Sequence, residues 1–108
     1  MSADLGWDRN FALEQSGDDE EMLAELLDLL RETAAADLNL IREAIEASDP
    51  EALMHAAHSL KGATASMAVE KIRATAYDLE CAGRDGRLDV DGQVNDLAAM
   101  VDALKDLA

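Results

Sequence analysis

The chain has 108 residues, enough for one domain with a single modest core. Its formal charge is −15, from 24 acidic and 9 basic residues, which excludes the basic surface that nucleic acid or anionic membrane would need. Apolar residues reach 49%, too many for disorder, yet the aromatics are only Trp7, Phe11 and Tyr77. The core must therefore be aliphatic and alanine-rich. Alanine loses no side-chain entropy in a helix, so this composition predicts an all-α fold. No basic segment followed by an apolar one opens the chain, and no apolar run approaches the ~20 residues that span a bilayer. A cytoplasmic, free-standing chain is expected. The single Cys81 cannot pair within the chain and reads as a small thiol on an apolar helix face.

In chain order, residues 1–16 form an N-terminal segment with a short helix expected over Leu5 to Leu13, its Trp7 and Phe11 covering one end or flank of a helical bundle. That bundle is expected over residues 17–108. Gly17-Asp18-Asp19 and the acidic residues after it suit a helix start, as caps and as partners for the positive dipole end. Leu23, Leu27, Leu30, Ala34, Leu38, Ile41 and Ile45 then step by three or four along one long helix. Ser48-Asp49-Pro50 ends it, with Asp49 as N-cap and Pro50 at the first position of a second helix running to Met67. Val69, Ile72, Ala76, Leu79 and Gly83 mark a third, stopped by the segment ending at Gly86. After a turn or cap region over Asp89 to Gly92, Val94, Leu97, Val101 and Leu104 mark a fourth. Four amphipathic helices joined by short turns predict an antiparallel up-down-up-down four-helix bundle with a short extra N-terminal helix. Met22, Leu13 and Phe11 exceed what a small core readily holds; they serve either ordinary core contacts or an exposed docking face.

The second helix carries more than bundle information. On a wheel advancing roughly 100° per residue, Leu53, Ala56, Leu60, Ala63 and Met67 lie at roughly 140° to 220° from His58. His58 therefore projects outward, away from the core stripe. Lys61 is one turn on, near enough to reach an anion held at the imidazole. Gly62 and Ala65 flank His58 and leave the surface beside it almost bare. A glycine inside a helix costs about 1 kcal/mol relative to alanine, and close approach by another molecule is a physical reason to bear it. A neutral imidazole is a competent nucleophile near neutral pH, and an ammonium can stabilise the charge of a phosphoryl group. Exposure, one cation and open approach are what phosphoryl transfer requires.

The run Ala57-His58-Ser59-Leu60-Lys61-Gly62 resembles the signature of the histidine-containing phosphotransfer (HPt) domain family, His-x-Leu-Lys-Gly. The resemblance spans roughly Gly17 to Leu107 and takes in Asp49-Pro50, Leu79-Glu80 and Gly86. It implies that His58 accepts the phosphoryl group, Lys61 stabilises it and Gly62 admits the partner. Many members have a glycine ten residues after that histidine, where this chain has Ala68, which predicts a looser corner or a slightly longer helix. His55 is expected at the edge of the docking face with Ala65. A metal site built on His55 and His58 would need further ligands, and none converge in the sequence. Ser59 and Ser66 read as surface hydroxyls. With no glycine-rich nucleotide loop, the chain is expected to be a monomeric phosphoryl carrier and not a kinase. Its partners would be receiver domains and a sensor histidine kinase, with no cofactor of its own and Mg²⁺ supplied by the receiver. The alternative is a helical adaptor that binds such partners without transfer.

Overall fold

A computed structural model describes residues 4–108; Met1 to Ala3, the outer end of the N-terminal segment, lie outside the described residues. The helices are α1 (Arg9–Gln15), α2 (Glu20–Glu46), α3 (Pro50–Ser66), α4 (Glu70–Arg84) and α5 (Asp91–Ala103), followed by a 3₁₀ turn at Leu104–Asp106. Three starts are capped by aspartate. Asp8 accepts from the Phe11 amide, Asp19 from those of Glu21 and Met22, and Asp49 from that of Ala52. Pro50 occupies the first turn of α3, where its missing N–H costs nothing.

The four corners between successive helices share one geometry. An amide bonds the carbonyl five residues back while the amide before it bonds the carbonyl three back. The pairs are Asp18→Leu13 with Gly17→Glu14, Asp49→Ala44 with Ser48→Ile45, Val69→Thr64 with Ala68→Ala65, and Arg87→Ala82 with Gly86→Gly83. This Schellman arrangement satisfies the orphan carbonyls at a helix end and needs a left-handed residue at its apex. Gly17 and Gly86 supply it at φ 69° and 75°, but Ser48 and Ala68 must also adopt φ 55° and 58°. The looser corner or longer helix expected at Ala68 is therefore not found. Alanine adopts the strained conformation itself, and α3 ends at Ser66.

The N-terminal segment buttresses that corner. The Asp8 amide donates to the Ala68 carbonyl at 3.1 Å, and the Lys71 amide to that of Leu5 at 3.1 Å. Trp7 forms an isolated antiparallel bridge with Val69, and its indole donates to the Met67 carbonyl at 3.0 Å. Residues 5–8 are thus bound to the corner outside any helix, with Gly6 at φ 62°, so the first helix starts at Arg9 and not at Leu5. Leu5 and Ala12 are buried in the same core as the bundle.

α2 packs on α3 and α5, and α4 packs on α3 and α5, closing the four-helix cycle. Leu23, Ile41, Leu53, Leu60, Ile72, Leu79 and Leu97 are fully buried at its centre. Ile45, Ala63 and Val101 lie half-buried against it rather than within it. Gly83 sets the closest approach of α4 to α3: a Cβ there would stand 2.6 Å from the Pro50 carbonyl oxygen and 2.7 Å from the Met54 nitrogen. This close packing positions the residues one turn before Gly83 against the outer face of α3. Among the described residues no helix is long and apolar enough to cross a membrane.

Candidate functional site

His58 stands on the outer face of α3, its side chain 68% exposed, while Ala57 and Leu60 beside it are buried. Its ring does not hang free. Nδ1 lies 3.0 Å from Oε2 of Glu80, a residue of α4 that is only 4% exposed. An ionised carboxylate only accepts, so the imidazole donates through Nδ1–H, and in the neutral ring the lone pair is then on Nε2. The bond to Glu80 selects one tautomer of the neutral ring, with Nδ1 turned to α4.

Glu80 is also the anchor of two cations. The Lys61 ammonium is 2.6 Å from Oε1, and the Arg84 guanidinium donates to Oε2 at 3.1 Å. The Lys61 ammonium beside it, with the His58 hydrogen bond, holds the Glu80 carboxyl below the usual range against the opposing effect of burial. Lys61 further lies 5.5 Å above the centre of the exposed Tyr77 ring. The sequence placed Lys61 one turn from His58, ready for an anion. The structure keeps that spacing but pairs the ammonium with Glu80, so an anion at His58 would draw it from an existing partner.

Gly62 and Ala65 are both exposed beside His58, and a Cβ built on Gly62 meets nothing within 4 Å. Helix packing therefore does not require Gly62, in contrast to Gly83. His55, one turn before His58, is exposed and 3.7 Å from Glu51 of its own helix. Among the described residues no three His, Cys, Asp or Glu side chains are arranged to hold a metal ion. Ser66 donates to the Ala63 carbonyl at 2.8 Å, an ordinary surface hydroxyl. Ser59 is exposed but donates at 3.0 Å to Asp37 of α2, whose buried carboxylate it partly satisfies. Burial pushes the Asp37 carboxyl up, and the Ser59 bond opposes it.

Glu80 is the site residue that sequence reasoning left unassigned. Its signal was its place on the wheel: four residues after Ala76 and three before Gly83, it falls on the buried side of α4. An acid there needs a cation, and Arg84 lies four residues on with Lys61 on the neighbouring helix.

The Hpt domain family matches residues 25–107. The chain belongs to the Hpt domain family. No curated protein sequence matches it. The Hpt fold is also that of the crystal structure of histidine-containing phosphotransfer protein B (HptB) from Pseudomonas aeruginosa PAO1. The two superpose with a TM-score of 0.86 at 22% identity, covering 96% of this chain and 91% of that one. At that identity the likeness concerns the fold. The family match explains why the long α2, the Asp49-Pro50 break and the His58 motif occur together on one Hpt bundle.

Proposed function

We propose that this Hpt domain is the phosphoryl carrier of a two-component phosphorelay, holding the group on Nε2 of His58. The observation that carries this reading is the His58–Glu80 bond, which in the neutral ring leaves the lone pair on Nε2 of an exposed side chain beside the bare surface of Gly62 and Ala65. The donor is a kinase or an aspartyl phosphate of one receiver domain, and the acceptor is the aspartate of a second. From a receiver, Nε2 attacks phosphorus as the P–O bond breaks and its electron pair leaves with the donor carboxylate; in the onward step the acceptor carboxylate attacks phosphorus as the Nε2–P bond breaks and returns its pair to Nε2. Catalysis in such a transfer is chiefly in-line positioning and charge stabilisation. Lys61 supplies a cation within reach of the phosphoryl oxygens, and the receiver supplies its carboxylate and Mg²⁺. Gly62, Ala65 and His55 form the part of the surface that the receiver covers. The chain acts as a monomer in the cytoplasm.

The test is incubation with phosphorylated receiver domains and mapping of the acid-labile label. Label on His58 supports the reading. Stable receiver binding without any label would support a non-transferring adaptor instead.

A further inference from the structure

Phosphoryl transfer through an imidazole changes the charge of the ring. With Nδ1 protonated, bond formation at Nε2 converts a neutral ring into a cation, and the proton on Nδ1 stays where it is. In the return step the Nε2–P bond breaks and its electron pair returns to Nε2, giving neutral imidazole. If Nδ1 has lost its proton meanwhile, the same bond must break to imidazolate, a far stronger base and a poor leaving group. A free phosphoimidazole surrenders that proton as pH rises, so a carrier working near neutral pH needs something to hold it.

We infer that Glu80 is the positioning residue that keeps Nδ1 of phospho-His58 protonated, so that the carrier remains a competent donor above neutral pH. The inference rests on the carrier reading and deepens it. Glu80 is placed for this by three observations. Its Oε2 is 3.0 Å from Nδ1, so the carboxylate faces the atom that must retain its proton. It is 4% exposed, which limits screening of its charge by water. Its second oxygen is held by Lys61 at 2.6 Å, and that ammonium is the group a phosphoryl anion at Nε2 would attract. As Lys61 turns toward the phosphoryl oxygens, the Glu80 charge it had offset becomes available to the ring cation. One carboxylate thus balances Lys61 before transfer and the imidazolium after it.

The other charges near the ring oppose or leave this effect intact. From α4, the Arg84 guanidinium shares Oε2 and weakens the field of Glu80 without removing it, while Tyr77 faces Lys61 and Cys81 lies beside Tyr77. From α3, His55 pairs with Glu51 one turn away. From α2, Asp37 is engaged by Ser59. Glu80 is the acid in contact with the imidazole.

The experiment labels the full chain with phosphoramidate and tracks protonation of the phospho-His58 ring by ¹⁵N and ³¹P NMR across pH 5 to 10. The same labelled chain in urea is the reference. The folded protein should keep its ring protonated to a pH about one unit or more higher than the unfolded chain. In Glu80→Gln, which keeps an acceptor for Nδ1–H but no charge, that difference should shrink at least threefold in proton affinity. Transfer from phosphorylated E80Q to a receiver should then fall severalfold more at pH 8.5 than at pH 6. A merely structural Glu80 would slow transfer equally at both. Coincident midpoints for folded and unfolded wild-type chains would overturn the inference even if E80Q fails to fold. Absence of label on His58 would overturn the carrier reading along with it, whereas label with an unshifted midpoint would overturn only the role given to Glu80.

Discussion

Two glycines on facing helices offer a controlled test of what the bare surface beside His58 is for. Gly62 is interior to α3, exposed, and has no heavy atom within 4 Å of an added Cβ. Gly62→Leu should therefore gain helix propensity without meeting a neighbour, about 0.5–0.8 kcal/mol of stability. For a domain of this size that is roughly 2–5 °C in melting temperature. The same side chain would stand in the path of a receiver aspartate, so transfer from a receiver should fall at least 100-fold, or about 2.7 kcal/mol at the barrier. Phosphoramidate, which needs little room, should still label His58. Gly83 predicts the opposite pattern. A Cβ there would lie 2.6–3.0 Å from backbone atoms of Pro50 and Met54, so Gly83→Ala must push α3 and α4 apart. It should cost about 2–3 kcal/mol in urea denaturation, with little selective effect on the two labelling routes. A destabilised Gly62→Leu that loses both routes together would refute the docking explanation.

Single contacts set the other expected outcomes. Ala68→Gly should stabilise the chain by about 0.5–1 kcal/mol in urea denaturation, because φ 58° strains alanine but not glycine; a loss of stability would show that the corner is not strained. Lys61→Ala should slow single-turnover transfer roughly 10–100-fold with the helical CD spectrum retained, and an unchanged rate would make Lys61 a partner of Glu80 alone. Burial raises the Asp37 carboxyl, so its ionised form opposes folding at pH values above the folded value, and that penalty disappears as pH falls below the unfolded one. Asp37→Asn should accordingly raise stability at pH 7 and lose the advantage below about pH 4, as read by urea titrations at both pH values. Glu80 has the opposite sign: its lowered carboxyl contributes stability above the ordinary glutamate value, lost as pH falls through the lowered one. Acid unfolding of wild type should thus include a component that Glu80→Gln lacks.

Much of the fold was legible because apolar periodicity reports burial directly. The stripes on α2, α3 and α4 point inward as their spacing demanded, and Asp49-Pro50 starts α3 where capping chemistry placed it. The start of α1 was misplaced because Leu5 and Trp7 have helical spacing from later apolar residues, yet the Leu5 carbonyl is bound by the Lys71 amide and the Asp8 amide by the Ala68 carbonyl, contacts between segments remote in sequence. The corner at Ala68 was misjudged for a related reason. Propensity penalises alanine in a left-handed conformation, but the Schellman bonds and residues 5–8 together impose it. His58, Lys61 and Gly62 were visible because all three lie on one helix, where spacing fixes direction. Glu80 joins them from another helix, and wheel arithmetic does not relate positions across helices. Its burial was readable from α4, but its bond to His58 was not.

The most direct measurement is the position of the phosphoryl group itself. The chain, uniformly labelled with ¹⁵N, is phosphorylated by a receiver aspartyl phosphate, and the modified nitrogen is assigned by NMR in wild type and in His58→Gln. The account predicts one phosphoryl group on Nε2 of His58 in wild type. It predicts none in His58→Gln, whose stability should lie within about 0.5 kcal/mol of wild type because the side chain is exposed. Label on Nδ1 would contradict the tautomer set by Glu80, and label on His55, or label retained by His58→Gln, would contradict the assignment of the carrier residue.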